Sequence, residues 1–321
     1  MNNGFFKERH LGELRSKSKS KGVKPIQWLV RDLIPLGILG DIFSMPDTGK
    51  SSLILTLVAA IANDEDNWNG FSIANGPVAY IGGEKSSEDV WERDLERANI
   101  DITDNTPLYN FDPADGLWFW DRKAEEWVET GAFSGIVARL KEVMPVLVVL
   151  DTLSLLAIGS EPTDTNQQVK LANRLHALRT ELDTTVLTIS HTNQSSNTDR
   201  LDKRLHYTSR AGSNGYPGRL RWLMGMTNLT LDEKTALGID TIRKVIALSV
   251  SKHNEMPQPR KGNMYKPFLF EIGHNGNLEL LDIDCSAEEL TKMKQTAKSQ
   301  AKTSVITTQT TAKTKKVYRG C

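Results

Sequence analysis

A mainly parallel α/β sheet is the fold this 321-residue sequence predicts, and three observations predict it. First, short and fully apolar runs alternate with stretches of helical periodicity, the pattern of strands covered on both faces. Second, residues 44–52 read Ser-Met-Pro-Asp-Thr-Gly-Lys-Ser-Ser between apolar runs 38–43 and 53–62, so a strand, a phosphate-type loop and a helix follow one another. Third, the late apolar runs 222–226, 245–250 and 268–272 are separated by turns rather than long helices. They predict an antiparallel extension of the same sheet.

The elements follow in order. Residues 38–43 form the first strand and 78–81 the second, and residues 133–144 are helical. Residues 145–150, Pro-Val-Leu-Val-Val-Leu, are a fully apolar strand. Val169, Ala172, Leu175, Leu178 and Leu182 recur at helical spacing before the strand at 185–189. Between the second strand and the helix at 133–144, residues 116–130 place Trp118, Trp120 and Trp127 around a charged centre. That reads as a β-hairpin with the indoles on one face. Packing against the body is the commoner use of such a stripe, and an aromatic platform for bases is the alternative. No internal repeat is visible.

Bulk composition narrows the class. There are 40 basic and 40 acidic residues, with 39% hydrophobic and 25% charged. Zero net charge argues against a protein that coats nucleic acid wholesale, and leaves room for a local basic groove. The two cysteines, Cys285 and Cys321, offer no metal or disulfide pattern and suit a reducing cytoplasm. No apolar stretch is long enough to span a bilayer, and the first 22 residues lack the apolar segment of a secretory signal. Residues 1–24 read as a flexible polar arm, 25–285 as one α/β domain, and 286–321 as a basic, disordered tail.

The loop carries the first chemistry. Backbone N–H groups there cradle phosphates, Lys50 reaches the β- and γ-phosphates, and the Ser51 hydroxyl is a Mg²⁺ ligand. The helix start adds the positive end of its dipole. Ser44 stands where the pattern usually begins with glycine. Pro46 and Asp47 replace its small middle residues, and Thr48, Gly49 and Ser52 complete the loop.

Ligands in open α/β sheets bind at the carboxyl ends of the strands. Gly82-Gly83-Glu84 follow the second strand, Asp151 follows the apolar strand, Ser190-His191 follow the strand at 185–189, and Ser251-Lys252-His253 end the run at 245–250. Asp151 is placed to hold Mg²⁺ directly or through water. Glu84 suits a general base that polarises the attacking water. His191 suits a donor to the γ-phosphate, with a satisfied structural histidine as the alternative. Residues 192–213 form a long polar loop with Arg200, Lys203, Arg204 and Arg210. A basic loop at the ligand end suits gripping a single-stranded backbone. Arg210, before the flexible Ala-Gly-Ser-Asn-Gly, is placed to act across a subunit boundary on the transferring phosphate. A solvated charge run is the alternative.

Taken together, these residues resemble the RecA-like ATPases, and among them the RepA-type hexameric replicative helicases of broad-host-range plasmids. The resemblance runs from about residue 28 to about 270. It rests on residues 44–52, 78–84 (VAYIGGE), 146–153 (VLVVLDTL), 188–192 (TISHT), 209–213 (SRAGS), 219–222 (RLRW) and 249–254 (SVSKHN). It implies a RecA-like P-loop core that binds ATP and Mg²⁺. Glu84 would be the base, Asp151 the Mg²⁺-linked acid, His191 the γ-phosphate sensor, Arg210 the finger acting in trans, and Lys252 a further cation near the nucleotide. It further implies a homo-oligomeric ring, a hexamer, with single-stranded DNA in its channel against residues 192–209. The implied function is an ATP-dependent DNA helicase or translocase of a mobile element or phage, acting in DNA replication beside other replication or recombination proteins.

The Pro46-Asp47 departure supports a second reading. A nucleotide-dependent DNA-binding or recombination scaffold would hydrolyse slowly, because a carboxylate beside a triphosphate is electrostatically unfavourable. A small-molecule kinase is a weaker third reading, since nothing resembles a phosphoacceptor lid.

Overall fold

The computed structural model describes residues 12, 13, 16, 25–82, 88–193, 200–254 and 266–295. Two short antiparallel strands, β1 (Trp28–Val30) and β2 (Ile34–Pro35), precede β3 (Leu39–Ser44), which runs into the phosphate loop and α1 (Lys50–Ala62). A second small ribbon, β4 (Asn67–Trp68) with β5 (Phe71–Ser72), leads to β6 (Val78–Gly82), α2 (Glu88–Arg97) and β7 (Leu108–Phe111). The hairpin β8 (Trp118–Asp121) and β9 (Glu126–Glu129) precedes α3 (Gly131–Val143) and β10 (Leu147–Asp151). Next come α4 (Leu153–Leu156), β11 (Ala157–Ile158), α5 (Thr165–Leu182) and β12 (Thr185–His191). After them follow α6 (Leu201–Leu205), α7 (Gly215–Arg219), β13 (Trp222–Asn228) and α8 (Leu231–Ala236). The last strands are β14 (Lys244–His253), β15 (Phe268–Ile272) and β16 (Leu278–Leu280).

Nine strands form one sheet in the order β16-β15-β14-β13-β3-β12-β10-β6-β7. The six from β13 to β7 are mutually parallel, and β14, β15 and β16 add on antiparallel. This is the expected RecA-like architecture, a mainly parallel sheet flanked by helices with an antiparallel extension. β12 lies between the strand that leads to the phosphate loop and the strand that ends in Asp151.

Strand β10 explains why its sequence is apolar without interruption. Leu147 and Val149 join one core with Ile42, Ile189 and the inner face of α1. Val148 and Leu150 join the other with Phe43, Val186 and Leu171, Leu175 and Leu178 of α5. Both faces are therefore dry, and alternation is lost because neither side is solvated. The helices start where their sequences allow. Asp164 accepts from the backbone N–H groups of Asn166 and Gln167 ahead of α5, and Thr230 with Glu233 forms a capping box on α8.

The tryptophan hairpin packs inward. Trp118 and Trp127 are fully buried in the second core, Trp118 lies 5.3 Å from the Phe133 ring, and Trp120 meets Trp127 edge-on at 5.5 Å. The Trp127 indole N–H donates to the Gln167 carbonyl at 2.9 Å, so the buried polar edge is satisfied. The indoles form a packing stripe and offer no platform for bases.

Two sequence expectations need correction. Residues 192–213 are not one structureless loop: they contain α6 and a 3-10 turn at Tyr207–Ser209, and a Thr192–Arg210 bridge closes their base. Residues 194–199 lie outside the described residues. The folded unit also does not stop at 285. Residues 287–295 are helical, with Ala287 and Leu290 buried against Leu201, Leu205 and Leu269. One leucine and one alanine on the same helical turn are enough to dock so short a segment, and composition averaged over residues 286–321 hides them. Residues 296–321, and nearly all of 1–24, lie outside the described residues.

Candidate nucleotide-binding cleft

The parallel strands direct their carboxyl ends to one side of the sheet. There Pro46, Asp47, Gly49, Lys50, Ser51, Ser52, Asp151, His191 and Lys244 line a cleft of about 570 Å³. The loop reaches this geometry through two left-handed residues, Asp47 at φ 57° and Gly49 at φ 101°. At Gly49 a side chain is excluded twice over: a Cβ would stand 2.3 Å from the Ile272 Cδ1 atom, and the backbone conformation itself disfavours one. The hairpin β15–β16 therefore presses on the loop and fixes its shape.

Inside the loop the polar groups are ordered. The Thr48 hydroxyl donates to the Met45 carbonyl at 2.7 Å, and the Ser44 hydroxyl donates to the same carbonyl at 2.8 Å. The Lys50 ammonium donates to Ser44 Oγ at 3.1 Å and to the Met45 carbonyl at 3.3 Å. Ser44 thus holds the lysine from the first loop position, where glycine is usual. His191, the last residue of β12, pairs with Ser44 in the sheet and brings Nδ1 to 3.4 Å from the Lys50 Nζ. An ammonium only donates, so Nδ1 accepts and the imidazole proton sits on Nε2.

Asp151 closes the other side. It is buried at the end of β10 and accepts a hydrogen bond from the Tyr80 hydroxyl on β6. The Tyr80 ring packs edge-on against Trp91 of α2 at 4.8 Å. Ser51, exposed in the cleft at the start of α1, and Asp151 are an oxygen donor pair of the kind that suits Mg²⁺, a hard cation. Glu84 lies outside the described residues.

The structure does not bring the remaining expected residues to this cleft. Lys252 sits at the opposite end of the sheet. Its strand runs antiparallel to β13, so Leu223, not the loop end of β13, is its partner. Lys252 is half-buried and donates to the Pro217 carbonyl at 2.8 Å, with its pKa lowered by burial and then by the Arg221 charge. The same reversal brings Lys244, at the start of β14, onto the phosphate loop, where its Nζ donates to the Asp47 carbonyl at 2.8 Å. Sequence reasoning missed Lys244 because it searched only the end of that strand; an antiparallel reading of the run would have pointed to its first residue.

Arg210 is not offered to a neighbour. It is buried, its Nε donates to Asp41 Oδ2 at 2.8 Å and to Ser190 Oγ at 3.0 Å, and its guanidinium lies 4.4 Å from the centre of the Tyr216 ring. Asp41 is fully buried and also accepts from the Thr188 and Ser190 hydroxyls at 2.6 and 2.7 Å. A buried carboxylate needs a charged partner, and Arg210 is that partner. Among the expected DNA contacts, Arg204 is likewise buried, its guanidinium 2.7 Å from Glu233, which also meets Lys294 at 3.2 Å. Arg200 is exposed and pairs with Asp202 at 2.5 Å, and Lys203 is exposed.

A basic cleft occupies the opposite end of the sheet. Arg179, Arg219, Arg221 and His176 line about 610 Å³ there, beside the start of β3. The Arg179 guanidinium donates to the Gly37 carbonyl, and the His176 Nε2 lies 3.1 Å from the Arg219 carbonyl.

Comparison with known proteins agrees with this fold. An AAA domain family profile matches residues 9–197, more than half of the chain. The chain belongs to that AAA domain family. Its fold is shared with solved structures at low identity. The "ATPase Domain of G40P" aligns with a TM-score of 0.56 and 14% identity, over 85% of this chain and 97% of that one. A DnaB-like replicative helicase, described with its interactions with primase, aligns at 0.57 and 14%, over 85% of this chain and 66% of that one. A KaiC-like protein from Pyrococcus horikoshii OT3 aligns at 0.53 and 13%, over 80% and 100%. No curated protein matches the sequence. Among the described residues no helix is long and apolar enough to cross a membrane.

Proposed function

We propose that this AAA domain protein is an ATP-dependent DNA helicase or translocase of the RepA-type, acting as a ring, a hexamer, in the replication of a mobile element or phage. One observation carries the reading. Lys50 and Ser51 from a helix start, and Asp151 and His191 from the ends of two strands, converge on one cleft at the carboxyl end of a RecA-like sheet. Lys50 binds the β- and γ-phosphates, and His191 reports on the γ-phosphate through Lys50. Ser51 and Asp151 would hold Mg²⁺, which would neutralise the phosphate charge when bound. Glu84, two residues beyond β6, is the proposed base that takes a proton from the attacking water.

In the proposed ring, the far face of one copy would lie against the next copy's cleft. Arg210 is locked in its own chain, so the cation supplied in trans is assigned to the basic cleft, to Arg219 or Arg221, with Lys252 beside them. This also gives Lys252 a route to a nucleotide that its own chain denies it. Single-stranded DNA is proposed to meet the exposed Arg200 and Lys203.

The test is ATP hydrolysis by the full chain with and without single-stranded DNA, beside Lys50→Ala and Glu84→Gln. Turnover stimulated by DNA and lost in both variants supports a motor. Nucleotide-dependent DNA binding with negligible turnover would replace this reading by the scaffold reading, which Asp47 in the loop favours.

A further inference from the structure

The cleft contains a cation that the expected phosphate-loop chemistry does not require. Lys244 is the first residue of β14, and the antiparallel run of that strand sets it over the loop. Its Nζ donates to the Asp47 carbonyl, and both residues line the cleft. The neighbouring Arg243 is engaged by Glu271 on β15, so the two adjacent cations have separate partners. Lys244 is exposed, and no buried contact of the sheet depends on its ammonium.

The charges explain its place. Asp47 puts a carboxylate where such loops carry a small residue, beside the path of a polyanion. Among the described residues lining the cleft, Lys50 and Lys244 face Asp47 and Asp151, so the formal charge balances with His191 neutral. Without Lys244 the cleft would carry an excess negative charge before any phosphate entered, and unscreened repulsion there opposes binding.

We infer that Lys244 is a second phosphate-binding cation of this cleft, supplied by the antiparallel extension to offset Asp47, and that its ligand is the phosphate chain of a nucleoside di- or triphosphate. The inference rests on the nucleotide-binding reading above and deepens it. The Asp47 carbonyl tethers the ammonium at the loop, and the flexible lysine stem lets it turn onto the phosphates.

Calorimetric titration of the full chain with MgADP and with Mg-ATPγS tests this, using wild type, Lys50→Ala, Lys244→Gln, Lys244→Arg, Asp47→Asn and the Lys244→Gln, Asp47→Asn pair. Loss of one charge-assisted contact predicts binding weakened about tenfold or more in Lys244→Gln. Lys244→Arg should bind within about threefold of wild type, since it keeps the charge. The double variant should recover most of the loss, because removing the carboxylate removes the need for its offset. The unfolding midpoint without nucleotide should not move in Lys244→Gln. Saturable wild-type binding left undiminished in Lys244→Gln would overturn the inference alone. Weakening that Asp47→Asn fails to relieve would also overturn it, assigning the lysine to the Asp47 carbonyl only. Wild-type protein that binds no better than Lys50→Ala would overturn the nucleotide reading and this inference with it.

Discussion

Replacing Arg210 by alanine separates a structural arginine from one that acts in trans. The side chain is 6% exposed and its partner Asp41 is 0% exposed, with 2.8 Å between Nε and Oδ2. Removing the guanidinium leaves Asp41 charged and buried, for which a cost of about 3–5 kcal/mol is usual. The Thr188 and Ser190 hydroxyls still donate to Asp41 and hold the cost toward the lower end. Loss of the cation over Tyr216 adds about 0.5–2 kcal/mol. A chain of this size loses roughly 2–4 °C per kcal/mol, so a combined loss of about 3.5–5 kcal/mol should lower the midpoint by roughly 7–20 °C in differential scanning fluorimetry. Asp41→Asn combined with Arg210→Met should be less destabilised than the sum of the two single changes, since neither charge is then stranded. A wild-type midpoint in Arg210→Ala, together with activity poisoned beyond dilution when it is mixed into wild-type assemblies, would refute the structural role and restore the trans one.

Three further outcomes follow from the same physics. Gly49→Ala should abolish nucleotide binding, and Ile272→Ala should not rescue it, because the clash with Ile272 would be relieved while the φ of 101° remains; restored titration would refute this. Burial pushes His253 down to about 4 from its ordinary 6.5, so the unfolded chain takes up this proton first and stability falls as pH drops from 6.5 toward 4. His253→Gln should remove a slope of about 1.4 kcal/mol per pH unit from urea unfolding across that window. Burial alone would raise the Glu233 carboxyl, yet the Arg204 hydrogen bond, the Thr230 backbone and the Arg204 and Lys294 charges together hold it below 4.5. Its contribution is therefore present above pH 4.5 and lost below it, and Glu233→Gln should flatten that acid limb and raise hydrogen exchange in residues 287–295.

The cleft's near side was largely legible in the sequence. Asp151 and His191 end apolar strands of a parallel sheet, Lys50 and Ser51 follow the loop after another, and in such a sheet every strand end lies on the same side. The helix α5 was legible from its spacing: of the residues read at helical intervals, Ala172, Leu175 and Leu178 lie on the face that it buries. The basic loop was misread because charge is local in sequence and burial is not. Arg204 and Arg210 look like solvated cations until Glu233 and Asp41, 29 and 169 positions away, are seen to meet them.

The sequence by itself determined the strand runs, the phosphate loop and the polar residues that end the parallel strands. These follow from local hydrophobicity and from the fixed stereochemistry of a glycine–lysine–serine turn. The tertiary structure alone decided direction and pairing. An apolar run such as 245–250 has the same composition whether it runs parallel or antiparallel, so only the observed pairing of β14 with β13 could move Lys252 away from the phosphate loop and bring Lys244 to it. The partner of a buried charge is likewise a property of the packed chain, because the free energy that selects it arises only when water is excluded from both groups.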